Sequence, residues 1–228
     1  MKKTPLWIIT AILTAGFLGI MYSFAPAYVC STYLISAVFL FFMSVYIAMN
    51  IHEKENDVFE EVLLLHSKSE TGYYLSREIL QIRMCLIYSL ILAFFPVLKS
   101  MLDPQFFTRA VGLKDVLIGG GLIAFSGICG LETGDLFHPR FVERKFAVVY
   151  VILICVLTVC KAGLIRTFGA FRILDILTAP VTDSLLLLGN ADDFVIPGNI
   201  LIMLHMLFYS LVFMLLKIRI LKSRRYRM

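Results

Sequence analysis

Charged residues are scarce in this chain. Asp, Glu, Lys and Arg make up 16% of its 228 residues and Trp occurs once, whereas hydrophobic residues make up 60%. Soluble domains carry about 25% charged residues, so this composition, with a mean hydropathy of +0.87, excludes a soluble globular protein. Linkers rich in Ser or Gly and low-complexity tracts are also missing, which favours a single membrane domain over residues 1–228.

Several motifs that would indicate chemistry are absent from the sequence. It contains no CxxC and no HExxH, and its four histidines form no pair with a carboxylate at ligand spacing, so we expect no metal site. The five cysteines fall within apolar runs, as expected of small apolar residues in helices. No GxxxxGK[ST] occurs, so nucleotide binding, catalytic residues and cofactors are not expected in this chain.

The hydrophobic residues form six long runs. About 30 Å of hydrocarbon needs roughly 20 residues of helix, and a helix satisfies its own backbone hydrogen bonds where water is absent. The sequence therefore predicts an all-α integral membrane protein with six transmembrane helices, at Pro5–Phe24, Ala27–Asn50, Met84–Leu102, Val116–Leu131, Phe146–Ile165 and Asn199–Leu216.

The first run leaves one alternative open. Its apolar stretch of about 19 residues is longer than the 7–15 of a signal-peptide core, which favours a retained helix. Ala25-Pro26-Ala27 nevertheless resembles a cleavage site. Cleavage there would leave the topology of the later spans unchanged.

The distribution of Lys and Arg predicts the orientation of the spans. With both termini in the cytoplasm, 15 basic residues lie on the cytoplasmic side and 6 lie outside. Because cytoplasmic loops carry an excess of Lys and Arg, we expect cytoplasmic N- and C-termini. The basic tail from Lys217 is interpreted as an anchor to anionic lipid and not as a nucleic-acid patch, so we expect no nucleic-acid partner.

Three further charged residues lie near the ends of predicted spans. Lys161, close to the outer end of the fifth span, is expected to extend its ammonium to the membrane surface. Glu132 and Asp135 flank the inner end of the fourth span, where we expect solvated or salt-bridged groups.

The loop between spans five and six contains two short apolar pieces, Phe171–Ala179 and Ser184–Leu188, separated by Pro180. Each is too short to cross a bilayer, and irregular backbone at membrane depth must be buried in protein or line a cavity. This pattern favours an outer re-entrant hairpin, with an interfacial amphipathic loop as the alternative.

Two features within the spans indicate contacts between helices. The fourth span contains Gly119–Gly121 and Gly127, and Gly130 with Gly134 forms a GxxxG. Glycines let helices approach closely, and packing within this chain is favoured over a dimer seam. His205 is an ionisable residue within the sixth span, which makes it a candidate for the translocation pathway or for a dimer contact.

The longest polar passage, residues 51–83, separates the second and third spans. Asp57 followed by Glu60 is close to a capping box, and apolar residues then recur at helical spacing, which predicts a short amphipathic helix; its residues are Val58, Phe59, Glu60, Glu61, Val62, Leu63, Leu65 and His66. After a break, a second helix from Tyr73 is predicted to continue into the third span, because nothing interrupts it before Pro96.

An isolated helix of about ten residues is marginal in water and needs a surface to pack on. The acidic residues of this short helix disfavour an anionic lipid surface. They favour a basic groove on a cytosolic protein.

This passage is similar to the coupling-helix region of ABC-2 type ABC transporter permeases. The similarity lies in an acidic start, a Leu-rich turn, the break His66–Gly72 and an aromatic pair before a basic residue; the matching residues are Glu53, Glu60, Glu61, Leu63, Leu64, Tyr73, Tyr74, Leu75 and Arg77. The sequence departs from the family at Ser76-Arg77, where Gly-Lys is frequent. The motif resemblance is confined to residues 51–83, and the rest of the chain resembles the family only in topology.

The resemblance implies the membrane-spanning permease subunit of an exporter in the cell membrane. It implies that residues Val58–Leu63, Leu65 and His66 contact a separate cytosolic ABC ATPase, and that a second permease half, identical or a sister subunit, completes the pathway. The expected substrate is a hydrophobic or amphipathic small molecule or peptide. A membrane-embedded enzyme and a structural or assembly membrane protein without a substrate are the alternatives.

Overall fold

The structure, a computed structural model, describes residues 6–54, 62–64, 66–67, 69–136, 144–167, 178–187 and 192–224. Within these ranges the regular elements are helices, and the one bridge between extended residues joins Ala27 to Phe107. The predicted all-helical class is therefore confirmed.

A long helix lies at each of the six positions that the hydropathy pattern predicts: α1 (Leu6–Met21), α2 (Val29–Lys54), α3 (Glu70–Leu102), α4 (Leu113–Asp135), α5 (Arg144–Thr167) and α7 (Ile196–Arg224). A 3₁₀ helix, Pro180–Thr182, and the short α6, Asp183–Leu186, lie between α5 and α7. Among the described residues, α2, α3, α4 and α7 are long and apolar enough to cross a membrane, whereas α1 and the apolar part of α5 are shorter. These lengths indicate a multi-pass membrane protein.

The longest helix, α3, contains 33 residues and begins well before its apolar part. Ser69 caps it, because its side-chain oxygen accepts a hydrogen bond of 3.0 Å from the backbone N–H of Gly72. The helix then continues without a break to Leu102 and includes Pro96. The predicted continuous helix from Tyr73 into the third span is confirmed.

Contacts at the helix ends show how the helices alternate in direction. Lys217, near the end of α7, contacts Glu78 near the start of α3 and Asp135 at the end of α4. Asp192, just before α7, contacts the first residues of α2. We call these the Lys217 end and the Asp192 end of the bundle.

The core of the bundle is the contact between α2 and α4, the most extensive helix pair among the described residues. Gly130 and Gly134 face α2 so closely that a Cβ atom on either would overlap the backbone carbonyl oxygens of Phe41 and Val45. The glycines of the predicted fourth span therefore bring two helices of the same chain together, as expected. Hydrogen bonds between helices support this packing, among them one of 2.6 Å from Ser126 Oγ to the carbonyl oxygen of Ala37.

Candidate functional site

A charged cluster is buried at the Lys217 end of the bundle. The Nζ atom of Lys217 lies 2.5 Å from Glu78 Oε1, 2.6 Å from Asp135 Oδ2 and 3.1 Å from Glu132 Oε2. The amide Nε2 of Gln81 donates to Asp135 Oδ1 at 3.2 Å. None of these five residues is more than 3% exposed. We call them the Lys217 cluster.

Helical spacing explains how three helices supply these groups. Glu78 and Gln81 are three residues apart on α3, and Glu132 and Asp135 are three residues apart on α4, so each pair shares a face. Lys217 completes the cluster from α7. Removing an ion from water costs several kcal/mol, which only close pairing and hydrogen bonding offset, so separating these three helices within the bundle would leave buried charges unpaired.

The cluster settles two expectations from the sequence. Glu132 and Asp135 were expected to be solvated or salt-bridged, and the structure shows them salt-bridged and buried. The interpretation of Lys217 as part of a lipid anchor was wrong, because its side chain points into the bundle and pairs with three carboxylates. Ionisable groups at membrane depth favour the bundle interior when partners are present there.

The segment that precedes α3, of which residues 62–64 and 66–67 are described, packs against the Lys217 end. Leu64 and Tyr74 are buried together with Leu221 of α7, and Tyr73 and Ile218 pack at the edge of this group. Ile218 follows Lys217 directly, and Leu221 lies one helical turn further on. The segment, the start of α3 and the end of α7 therefore form one packed unit beside the Lys217 cluster.

The structure describes three of the eight residues predicted to contact an ATPase. Val62 and Leu63 are exposed, and His66 is exposed with its Nδ1 atom 2.8 Å from the carbonyl oxygen of Val62. This spacing is that of one helical turn. The other five, Val58, Phe59, Glu60, Glu61 and Leu65, lie outside the described residues.

A second polar network lies at the Asp192 end. The carboxylate of Asp192 accepts hydrogen bonds of 2.8 Å from the backbone N–H groups of both Val29 and Cys30, and one of 2.9 Å from the Thr108 hydroxyl. Arg109 donates to the backbone carbonyl of Asp192 and pairs with both carboxylate oxygens of Asp115, at 2.6 and 2.7 Å. This network ties α2, the loop before α4, α4 itself and the residue that leads into α7.

The electrostatics of this network follow from its hydrogen bonds. Burial raises the pKa of Asp192, but the N–H groups of Cys30 and Val29, the Thr108 hydroxyl and the Arg109 charge outweigh this effect and hold the pKa below its ordinary value. The backbone N–H groups in the first turn of a helix have no acceptor within the helix, so they also favour a negative charge beside the start of α2. Hydrogen bonds to Asp115 raise the pKa of Arg109, against the opposing effect of burial.

The described part of the predicted re-entrant hairpin lies inside the bundle. Residues 178–182 are buried, and the 3₁₀ helix Pro180–Thr182 contacts α2, α5 and α7. The Thr182 hydroxyl donates to the carbonyl oxygen of Thr158 at 3.0 Å, nine residues before the end of α5 at Thr167. Nine residues of helix rise about 14 Å, so this segment reaches well into the bundle from the Asp192 end. Residues 168–177, which include most of the first apolar piece, lie outside the described residues.

Lys161 is also buried in this region. Its Nζ lies 2.7 Å from Asp183 Oδ1 at the start of α6, and its side chain is 1% exposed. The expectation that Lys161 extends to the membrane surface was wrong, because a carboxylate on the following segment is close enough to pair with it. Periodicity could not reveal this pair, since Asp183 begins a short helix outside the predicted spans and far from Lys161 in the sequence.

His205 lies on the exposed side of α7. Leu201 and Phe208, one turn away on the same face, and Leu204, directly before it, are exposed and apolar. The structure therefore does not bring His205 together with the Lys217 cluster or with the Asp192 network.

Comparisons with known proteins add no identification. No family model matches the chain, and no curated protein and no solved structure matches it significantly.

Proposed function

We propose that this chain is the membrane-spanning permease subunit of an exporter, coupled to a separate cytosolic ABC ATPase. The observation that carries the proposal is the packed unit at the Lys217 end. Leu64 in the segment before α3 is buried in one apolar cluster with Tyr74 of α3 and Leu221 of α7. Because α3 runs unbroken from Glu70 to Leu102, a force applied to the segment reaches the membrane-spanning part of the helix.

The exposed residues of the same segment form the proposed docking surface. Leu64 faces the bundle with 4% exposure, whereas its neighbours Val62 and Leu63 are 44% and 39% exposed. This division between an anchored side and an apolar exposed side is what a helix that fits into a groove on a partner requires. The ATPase contact surface extends through the predicted residues Val58–Leu63, Leu65 and His66.

The proposed topology has six spans with cytoplasmic termini and places the Lys217 end at the cytoplasmic side. Six long helices of alternating direction and the excess of Lys and Arg in the segments at that end support it. The segment of residues 178–186 then enters from outside as part of a re-entrant hairpin. Cysteine at position 66 should react with an impermeant thiol reagent only from the cytoplasmic side, and cysteine at position 193 only from outside. Labelling of both from one side would contradict this topology.

A second permease half, a copy of this chain or a sister subunit, is part of the proposal. His205 lies exposed within an apolar face of α7, and ionisable residues in membranes face protein or water-filled cavities in preference to lipid. This supports a contact with the second half over a role in the interior of one half. A cysteine at position 205 should then form cross-links between subunits in membranes, and their absence would place the second half on another face. The substrate class that we propose is a hydrophobic or amphipathic small molecule or peptide.

The decisive experiment removes the docking surface and leaves the bundle intact. Val62→Asp with Leu63→Asp should abolish co-purification of a cytosolic ATPase with the full chain, because two charges would enter an apolar contact. Leu102→Asp, at an exposed position of the Asp192 end, is the matched control and should retain the ATPase. Undiminished ATPase in the double variant would contradict the proposal.

A further inference from the structure

An open cleft lies between α1 and α3 near the Asp192 end of the bundle. It has a volume of about 450 Å³, and its lining residues are Ala15, Leu18, Gly19, Tyr22, Phe95 and Lys99. The rings of Tyr22 and Phe95 are 4.7 Å apart. Further along the two helices, the hydroxyl oxygens of Thr10 and Tyr88 are 2.5 Å apart. The two helices are therefore held together while the space between them, which we call the α1–α3 cleft, stays open.

Most of the lining of the α1–α3 cleft is apolar, which decides what can fill it. Its volume equals that of about fifteen water molecules, but a space with apolar walls stays dry and binds apolar molecules. Gly19 leaves part of this space free, because no atom lies within 4 Å of the position that a Cβ atom would take there. On α3, Phe94 and Leu98, the residues directly before Phe95 and Lys99, are exposed and apolar. An apolar chain therefore fits the cleft and continues along the surface of the bundle.

A pair of opposite charges lies where the cleft meets the end of α3. The Nζ atom of Lys99 lies 4.7 Å from the centre of the Phe106 ring, which favours this position of the ammonium. Its distance to Asp103 Oδ2 is 3.7 Å, which is longer than a hydrogen bond. Among the described residues, none accepts a hydrogen bond from this ammonium. With 27% and 48% of their side chains exposed, Lys99 and Asp103 can bind further groups.

An ammonium beside a carboxylate complements a headgroup that carries both a phosphate and an amine. A phosphate is a strong acceptor for the three hydrogens of Lys99, and a protonated amine donates to the carboxylate of Asp103. Each of the four charges then has a partner of opposite sign. A headgroup with a phosphate alone would bring a negative charge next to Asp103 and leave that carboxylate without a second partner.

We propose that the α1–α3 cleft is a binding site for a phospholipid with a phosphoethanolamine headgroup. Its phosphate binds Lys99, its amine binds Asp103, and its glycerol and the first part of an acyl chain occupy the cleft between Gly19 and Phe95. The inference rests on the geometry of this cleft and does not depend on the proposed transport function.

A helix of a second copy is the competing occupant, because Ala15 and Gly19 are small enough to let another helix approach. Such a helix would cover the pair of Lys99 and Asp103 and remove it from water, which costs free energy unless new partners are supplied. The copy's own α1, Leu6–Met21, contains no charged residue to supply them. The charge pair therefore favours a lipid over a helix.

Native mass spectrometry of the full chain, released from detergent micelles, tests the headgroup assignment. The probes are phosphatidylethanolamine and phosphatidylglycerol with identical acyl chains. We expect the wild-type chain to bind one phosphatidylethanolamine in preference to phosphatidylglycerol. Asp103→Asn should weaken phosphatidylethanolamine roughly tenfold without weakening phosphatidylglycerol, because one hydrogen bond to a charged group is lost. Lys99→Gln should weaken both lipids, because both carry the phosphate.

Gly19→Leu tests the place of the lipid, because its new side chain would fill the cleft. We expect this variant to lose bound phosphatidylethanolamine. Gly16→Leu is the matched control: no atom lies within 4 Å of its Cβ position either, and Gly16 does not line the cleft. It should bind the lipid as the wild-type chain does.

Three results would overturn the proposal. The first is equal binding of the two lipids by the wild-type chain, a measurement that needs no variant to fold. The second is competition by free phosphoethanolamine at the same concentration as the lipid, which would show that the apolar cleft contributes nothing. The third is a Gly19→Leu variant that keeps the bound lipid; if this variant also changes from dimer to monomer, a helix of a second copy occupies the cleft.

Discussion

Leu64 and Leu221 lie in one buried apolar cluster with Tyr74, although Leu64 precedes α3 and Leu221 lies near the end of α7. The first is 4% exposed and the second 3% exposed. This cluster packs the segment before α3 against α3 and α7. Lys217 of α7 also pairs with Glu78 of α3, the helix that follows this segment, so the apolar cluster and the ion pair support the same helix arrangement.

The shared cluster of Leu64 and Leu221 predicts that their contributions to stability are coupled. Leu64→Ala and Leu221→Ala should each lower the free energy of unfolding by about 2 kcal/mol or more, because each leaves a cavity. The double variant should lose less than the sum, with a coupling of about 0.5–3 kcal/mol. Denaturant unfolding in mild detergent measures the cycle, and Leu215→Ala, at a position 63% exposed on the same helix, provides the control. Strict additivity would show that the two side chains do not share a cavity.

Lys217→Met should destabilise the protein strongly. Three buried carboxylates would lose their ammonium, and removal of one partner of a buried ion pair costs about 3–5 kcal/mol. Lys114 pairs with Asp193 at 2.8 Å on the surface, so Lys114→Met should destabilise the protein far less. Thermal unfolding of both variants gives the comparison. Equal losses in the two variants would mean that the buried ion pairs of Lys217 contribute no more to stability than the exposed ion pair of Lys114.

Gly130→Ala should separate α2 from α4. The new methyl group would overlap the backbone carbonyl of Phe41, and backbone cannot move aside as a flexible side chain can. We expect a loss of about 1–3 kcal/mol in the free energy of unfolding.

Gly16→Ala is the matched control for this change, because no atom lies within 4 Å of the position of its new methyl group. Alanine has the higher helix propensity, so this variant should be more stable by up to about 1 kcal/mol. Guanidinium unfolding of the two variants should therefore give changes of opposite sign. A stabilised Gly130→Ala variant would show that the helices are further apart than described.

Asp192 predicts how stability changes with acid. Its folded pKa lies below the ordinary value, which is about 3.9 in the unfolded chain. The network therefore contributes stability that is complete above the unfolded pKa and is lost as the pH falls through the folded pKa. Asp192→Asn should lower the unfolding temperature at pH 7. The difference from wild type should shrink as the pH falls below about 4. A difference that is constant from neutral to acidic pH would contradict the ionised form of Asp192 as the stabilising species.

The sequence predicts the helices well because hydropathy and helix breakers act locally. The six predicted runs coincide with α1 to α5 and α7, and α3 extends beyond its apolar part because no Gly or Pro follows Gly72 until Pro96. The glycines of α4 were also informative, since only a close neighbour explains so many small residues on one helix.

The partners of charged residues could not be predicted in the same way. Whether Lys217 faces lipid or carboxylates depends on the relative rotation and height of three helices that are far apart in the sequence. Lys161 pairs with Asp183 across the loop that follows α5, and the first N–H groups of α2 donate to the carboxylate of Asp192. No local pattern records such distances. The one available signal was that Glu78, Glu132 and Lys217 all lie within a few residues of predicted span ends on the same side.

The carboxylate of Asp192, which accepts hydrogen bonds from the first residues of α2, has a consequence for the synthesis of the protein. Val29 and Cys30 emerge from the ribosome early, and the carboxylate that receives their N–H groups belongs to Asp192, which is made only after five of the six long helices. During translation these two N–H groups therefore lack their carboxylate acceptor and form hydrogen bonds with water or lipid headgroups instead. This end of the molecule is completed when the last helix enters the membrane, so a nascent chain truncated before residue 192 is expected to be more accessible to quality-control proteases there than the full-length product.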